Sequence, residues 1–504
     1  MMRANKTCDT GVVHGKLSAA LASACLLLAS CAAGPDFQRP LAPQVDDYTL
    51  HDLPASTVDA EGEAQNFVRG AALPRDWWHM FQSPEMDEMV ERAMKGNATV
   101  AAAEASLRQS QDNLNAGYGV FFPQAELGLA GSRERTAPIM QGLAAPGSIF
   151  NVVSLSGSVV YALDIFGGQR RAVEGLGARR DSARNEAQAA RLALQANVVD
   201  TAIARAAYAS QIDSMTDILQ MEGLLLRETE AQVKAGVLGY VNVLAVRSQM
   251  SVTEDQLALL KLKYDEAGHL LVNLQGDFAG RLALPELDFD SMVLPKDLPV
   301  SLPSDLVRRR PDILAAEARL HAANADVGVA SAAMFPSISL SSDAGIAGSS
   351  LHKLPGDNGK FWSAGATADM PLFRGGSLWF GRKAAIEAYN GAAAAYRQTV
   401  LDAFTQVANA LKALEHDAEA VKAQGIVVDT AGESRDLILA SYNAGLASYV
   451  DVLNVEIQLE QANIAYVSAA AQRYQDTVVL SAALGGDWQE GLDDAGRQAS
   501  RGQP

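Results

Sequence analysis

Between residues 122 and 163, and again between 335 and 370, small polar and apolar side chains alternate with period two. Ser154, Ser156 and Ser158 interleave with Val153, Leu155, Val159 and Tyr161; Ser337, Ser339 and Ser341 interleave with Ile338 and Leu340. That alternation predicts strands with one wet face. Four strands are expected, over 122–132, 151–163, 335–346 and 361–370, with Gly-, Pro- and Ser-bearing loops at 133–150 and 347–360. A helix is expected before each pair, over 98–119 and 311–333, ending near Phe122-Pro123 and Phe335-Pro336. A turn follows each pair: Asp164-Ile165-Phe166-Gly167-Gly168, then Pro371-Leu372-Phe373-Arg374-Gly375-Gly376. Long proline-free stretches come next, 169–234 and 377–443. As single helices each would span on the order of 100 Å. The chain then reverses at 235–239 or 445–448 and returns as a helix of about 35 residues, judged from where the pattern ends.

These two passages are copies of each other. Ala103-Glu104-Ala105-x-Leu107 returns as Ala316-Glu317-Ala318-x-Leu320, and Phe122-Pro123 as Phe335-Pro336, all 213 residues apart. Ala235-Gly236-Val237-x-x-Tyr240-Val241-x-Val243-Leu244 returns 209 residues later as Ala444-Gly445-Leu446-x-x-Tyr449-Val450-x-Val452-Leu453, and Gly276 and Gly485 keep that spacing. The period is far too long for a solenoid, so the chain is a duplicated domain.

The N-terminus reads as a targeting segment. Arg3, Lys6 and Lys16 precede residues 17–33, which carry no charge and are short for a spanning helix. The run ends in Leu28-Ala29-Ser30-Cys31, which resembles the lipobox of bacterial lipoproteins. That resemblance implies a signal peptide over 1–30, with diacylglycerol on the Cys31 sulfur and an acyl group on its new amine. Ala32 follows, where an aspartate would commonly retain a lipoprotein in the inner membrane, so the outer membrane is expected. Beyond residue 33 no apolar run is long enough for a spanning helix, so any crossing must be a β-barrel.

Composition narrows the function. The chain has 504 residues, 48% hydrophobic, 20% charged and 6% aromatic, which excludes disorder throughout and suggests alanine-rich, closely packed helices. The 41 basic and 59 acidic side chains give a net charge of −18, and removal of residues 1–30 takes it to −20. That excludes a basic nucleic-acid-binding surface. Cysteines stand only at 8, 25 and 31, so neither a disulfide scaffold nor a Cys-rich metal site is expected. The histidines at 14, 51, 79, 269, 321, 352 and 416 never pair at metal spacing. There is no nucleophile elbow, P-loop or HExxH, so no catalytic residue, cofactor or metal is assigned. The arginine run 308–310, just before Pro311, reads as solvated or ion-paired.

Four strands cannot close a barrel, and open edges in lipid would leave backbone groups without partners. Copies of the chain must close the sheet; two copies would supply eight strands and three would supply twelve.

The motifs decide further. Gly34-Pro35-Asp36-Phe37-Gln38-Arg39-Pro40, Trp78-x-x-Phe81, Arg309-Arg310-Pro311-Asp312-Ile313, Phe335-Pro336-Ser337-Ile338-Ser339-Leu340, the two glycine turns, Tyr442-x-x-Gly445 and Ala483-Leu484-Gly485-Gly486-x-Trp488 occur in order over 31–488. They resemble the TolC-like outer-membrane factors, most closely the NodT/OprM-type lipoproteins. The resemblance implies a mixed fold of long antiparallel α-helical hairpins and a transmembrane β-barrel. Four strands per chain would complete a trimeric twelve-stranded barrel above a periplasmic helical tunnel. It implies an outer-membrane conduit in a tripartite export system, lipid-anchored and partnered by a periplasmic adaptor and an inner-membrane transporter. A non-conducting scaffold across the periplasm, or a lipid-anchored hydrolase, would be the other readings.

On this reading residues 31–96 form the lipidated start and an equatorial region, 97–290 and 291–488 are the two repeats, and 489–504 is a disordered tail. The hairpin tips, with Gly236, Gly239, Gly445 and Ser448, are the expected adaptor-docking surface. In TolC-like channels the segment after the tip holds the periplasmic constriction, so Asp451 is the expected gate residue. Asn454 and Asn242 stand where a second acidic position and the repeat-one counterpart fall, which implies a weakened ring of charge.

Overall fold

The computed structural model describes residues 32–50, 54–60, 62–71, 73–136, 142, 146–354 and 359–486. In chain order the elements are β1 (Asn66–Arg69), α1 (Pro84–Gly96), α2 (Ala98–Gly117), β2 (Gln124–Arg135), β3 (Ile149–Leu163), α3 (Gly168–Lys234) and α4 (Tyr240–Leu274). Then come β4 (Asp297–Val300), α5 (Pro303–Arg309), α6 (Pro311–Ala332), β5 (Ser337–Gly348), β6 (Lys360–Asp369), α7 (Ser377–Asn443) and α8 (Tyr449–Leu484). The two proline-free stretches are single helices of 67 residues each. No helix among the described residues is long and apolar enough to cross a membrane.

The chain divides into two compact units. Among the described residues, the first takes those of 32–39, 108–182 and 317–395. It holds an antiparallel four-stranded sheet in the order β2-β3-β5-β6. The first strand starts two residues later than its pattern suggested, because a 3-10 turn at Tyr118–Phe121 and Pro123 precede it. It runs on to Arg135, where Thr136 and Ser148 clamp the hairpin: the Thr136 amide donates to the Ser148 carbonyl at 2.9 Å, and the Ser148 amide to the Thr136 hydroxyl at 3.0 Å.

Pairing register carries one apolar face across all four strands. Leu127 and Leu129 of β2 lie on the side of Val153, Leu155 and Val159 of β3, of Ile338, Leu340 and Ile346 of β5, and of Trp362, Ala364 and Ala366 of β6, with Arg133, Arg135, Ser342 and Lys360 among its polar members. The other face carries Glu126, Ser132, Ser154, Ser156, Ser158, Ser339, Ser341, Asp343, Ser363 and Thr367, with Phe150, Val152, Val160 and Phe361 as apolar members. Leu127, on the apolar face, is 78% exposed in the single chain.

The N-terminal segment is strapped onto this same unit. The Ala33 amide donates to the Phe166 carbonyl at 2.8 Å, Phe37 stacks on His321 with centroids 4.3 Å apart, and Arg39 pairs with Glu317 at 2.8 Å. The buried Arg171 reaches both Asp36 and Glu174. Gly34, at φ +91°, passes so close to Gly328 that a Cβ on it would sit 2.5 Å from the Gly328 Cα; only glycine fits there.

The second unit takes the described residues of 40–107, 183–316 and 396–486. Its core gathers Trp77 and Phe81 from a 3-10 turn, Met86, Met89 and Val90 of α1, Val198, Val199 and Ile203 of α3, Leu271 of α4, and Phe289 and Met292. Ser83 caps α1 by accepting the Met86 amide at 3.3 Å, with Pro84 as first helical residue. β1 and β4 pair in parallel, an element with no alternating signature in four residues. Beneath them the Arg473 guanidinium donates to the Gln65 side chain and the Glu63 carbonyl, at 3.0 and 2.9 Å. Arg310 is buried and ion-paired: it forks onto both Asp312 oxygens at 2.9 and 2.7 Å and donates to Gln406 and to the Ala483 carbonyl. The structural reading of 308–310 therefore holds for Arg310.

Candidate functional site

The two hairpin tips are built by the same local chemistry. α3 ends with Gly236 at φ +76°: its amide donates to the Val233 carbonyl at 3.0 Å and the Val237 amide to Gln232 at 2.9 Å. α7 ends with Gly445 at φ +75°, its amide on Tyr442 and the Leu446 amide on Ser441, both at 2.9 Å. Each is a Schellman end with glycine in the left-handed conformation. A Cβ on either glycine would meet open space, so only backbone conformation demands glycine there.

Both tips present apolar side chains to solvent: Val237, 71% exposed, with Tyr240 and Val241, and Leu446, 84% exposed. Exposed apolar clusters of this kind mark surfaces that meet a partner. Arg247 and Glu230 tie the first tip together at 2.7 Å, and Tyr442 and Tyr449 approach ring to ring at 5.9 Å in the second.

The returning helices start differently. Ser448 caps α8: its hydroxyl accepts the Asp451 amide at 3.2 Å, and the Asp451 carboxylate accepts the Ser448 amide at 2.8 Å and its hydroxyl at 2.7 Å. This is a capping box, and Ser448-x-x-Asp451 is its sequence signature. The Ser448 hydroxyl and amide hold the exposed Asp451 carboxyl below the usual carboxylate range. At the first tip Gly239 has no side chain to cap with, and the Asn242 amide donates back to the Gly239 carbonyl at 3.0 Å. Asn454 is exposed on the second turn of α8. Asp451, Asn454 and Ser448 are thus brought together at one tip and Gly239 and Asn242 at the other. Cys31 lies outside the described residues, as do His14 and His51.

Among the described residues no group of three metal-ligating side chains converges. Three histidines have carboxylate neighbours: His321 with Glu174 at 2.8 Å, His79 with Asp87 at 3.5 Å and His416 with Glu419 at 3.3 Å.

Sequence reasoning missed a carboxyl cluster in the second unit. Asp417 of α7 faces Asp476 of α8, and the two carboxyls interact. Asp200 of α3 faces Asp476 and bonds Gln475. Burial first, then Asp476, pushes Asp417 up to about 7, against the nearby Arg473 and His416. Its Oδ2 is buried with no donor. The three aspartates come from helices distant in sequence, so no spacing could have announced them.

The profile of the outer membrane efflux protein family matches residues 89–277 and 302–486. The chain belongs to that family. It is 30% identical over 429 residues to the pyoverdine export outer membrane protein OpmQ of Pseudomonas putida, covering 84% of this chain and 90% of that one. It is 28% identical over 473 residues to the outer membrane protein OprJ of Pseudomonas aeruginosa, covering 92% and 95%. The solved outer-membrane channel OprN superimposes with TM-score 0.79 at 26% identity, over 91% of this chain and 100% of that one. The CmeC outer membrane channel of Campylobacter jejuni, 20% identical, shares the fold with TM-score 0.82 over 93% and 98%. The fold is that of the TolC-like channels, long helical hairpins joined to strands of an outer-membrane barrel. This protein is an outer-membrane component of an efflux system.

Proposed function

We propose that three copies close a twelve-stranded barrel and conduct substrate outward from a periplasmic adaptor and an inner-membrane transporter. The observation that carries this reading is the β2-β3-β5-β6 sheet: one apolar face, one polar face and two open edges. Such a sheet is stable in lipid only when closed, and its polar face then lines water. Cys31 is the lipid attachment point, after a signal peptide over 1–30, and the repeats span 97–290 and 291–488. The tips at 235–240 and 445–449 dock the adaptor through their exposed apolar residues. Asp451 gates the periplasmic mouth as a ring of three carboxylates, one per chain. Packing like charges together raises their pKa values, and the Ser448 cap acts the other way, favouring the ionised form. The ring therefore attracts cations. Asn242 and Asn454 supply no charge to it, which makes it a single layer.

Reconstitution into a planar bilayer tests the reading. Chemical crosslinking in membranes that stops at three, with stepwise ion conductance, is the expected result. An inserted trimer that never conducts would favour a scaffold across the periplasm instead.

A further inference from the structure

Repeat symmetry specifies what meets the two open edges, β2 and β6. Gln124 opposes Val160 in the first hairpin; Ser337, 213 residues after Gln124, opposes Asp369, 209 residues after Val160, in the second. The same offsets relate the sequence motifs before the sheet and the ends of the long helices, Gly168–Lys234 and Ser377–Asn443. So β5 is the counterpart of β2, and β6 the counterpart of β3. Within one chain the structure already displays how a strand of the β3 kind meets one of the β5 kind: Val153 opposes Gly348 and Leu163 opposes Ile338.

Carrying that pairing by the same offsets onto the open edges gives a definite register. We propose that β6 of one copy pairs antiparallel with β2 of the next, with Trp362 opposite Arg135, Ala364 opposite Arg133, Ala366 opposite Gly131, Ala368 opposite Leu129 and Asp369 opposite Gly128. The proposal rests on the trimeric reading above and deepens it.

Chemistry that played no part in the offsets agrees. In this register Trp362, Ala364, Ala366 and Ala368 fall on the same side as Leu129 and Leu127, so the apolar face continues across the junction and ends at Arg133 and Arg135 beside Trp362. Ser363 meets Glu134 and Thr367 meets Ala130 on the polar face. A slip of one residue would turn Ala368 and Trp362 against the polar face of β2, since side chains alternate with period two. Trp362 and Leu129 are 80% and 64% exposed in one chain, as residues awaiting a neighbour in lipid or protein would be. Arg133 and Arg135 reach the indole of Trp362 from the neighbouring strand, a favourable cation–π pairing. Pro371, two residues past the end of β6, has no N–H to donate and ends the ladder.

Paired cysteines in the full-length protein, oxidised in native membranes, test the register. Two matched combinations are used, Ala368→Cys with Leu129→Cys and Thr367→Cys with Ala130→Cys, because successive antiparallel pairs alternate in closeness. The slipped control is Ala368→Cys with Ala130→Cys. Within one chain these positions lie on opposite edges, about 14 Å apart across three strand spacings, so a disulfide can form only between copies. Either matched combination should give a covalent trimer, with yield on the order of tenfold above the slipped one, whose sulfurs point to opposite faces. A higher yield from the slipped control overturns the register. No bond from either matched combination, while amine crosslinking of the same variants still stops at three, overturns it and leaves the trimer standing. Amine crosslinking that stops short of three refutes the trimeric reading itself.

Discussion

Replacing Asp417 by asparagine should stabilise the protein above neutral pH and do little below about pH 4. The starting point is the placement of Asp417 beside Asp476, with its Oδ2 buried and without a donor. Burial and the neighbouring carboxyl lift Asp417 from 3.8 to about 7. A carboxyl raised on folding binds its proton more tightly in the native state. The native state therefore holds more protons than the unfolded chain between about pH 4 and 7, and stability falls as pH rises through that window. At about 1.4 kcal/mol per pKa unit the full shift would correspond to about 4 kcal/mol. Asp417 is only partly buried, and solvent screening brings this down to roughly 1–2 kcal/mol. Asparagine carries its own N–H donor toward Asp476 and has no charge to bury. Thermal melts followed by helical circular dichroism at about pH 4 and pH 8 give the readout. The variant should melt a few degrees above the parent at pH 8, on the scale of 2–4 °C per kcal/mol. At about pH 4, the acid end of that window, the two should nearly coincide. A melting difference independent of pH, or a variant less stable at pH 8, would refute the reasoning.

The functional elements give further expectations. Asp451→Ala should raise resting conductance and lower cation selectivity and divalent block in bilayer recordings; unaltered values for all three would exclude it from the gate. Asp451→Asn tests charge with less loss of the Ser448 cap, and should reproduce the loss of selectivity. Gly236→Val or Gly445→Val forces a β-branched residue into φ near +75°, at a cost of about 1–2 kcal/mol or more at the tip. Adaptor crosslinking should fall while barrel insertion survives, and unchanged crosslinking in both would count against docking there. Arg310→Ala leaves the Ala483 carbonyl without its donor and Asp312 with only the Ile313 amide, and should destabilise by about 2–4 kcal/mol in a denaturant series. Cys31→Ser should abolish fatty-acid labelling, and normal labelling of that variant would show that Cys31 is not the lipid site.

Local order was legible in the chain because it is written in local periods. Alternating Ser154, Ser156 and Ser158 announce a strand with one polar face, and two proline-free stretches announce helices that run uninterrupted over Gly168–Lys234 and Ser377–Asn443. Gly236 and Gly445, repeated 209 residues apart, announce two equivalent reversals, since a left-handed helix end selects glycine whatever surrounds it. The capping box at Ser448 and Asp451 was equally readable, as a three-residue spacing. The short strands β1 and β4 had no such signature: four residues are too few to show a period, and their pairing depends on Asn66 meeting Asp297 across more than two hundred residues. The same holds for Arg310 forking onto Asp312 beneath Ala483, and for Arg473 reaching back to Gln65. Asp200, Asp417 and Asp476 are three unremarkable aspartates in sequence, and only the packing of three helices turns them into a cluster that holds a proton. Propensity and periodicity act between neighbours along the chain, whereas burial and charge coupling act between neighbours in space, and only the folded chain decides who those are.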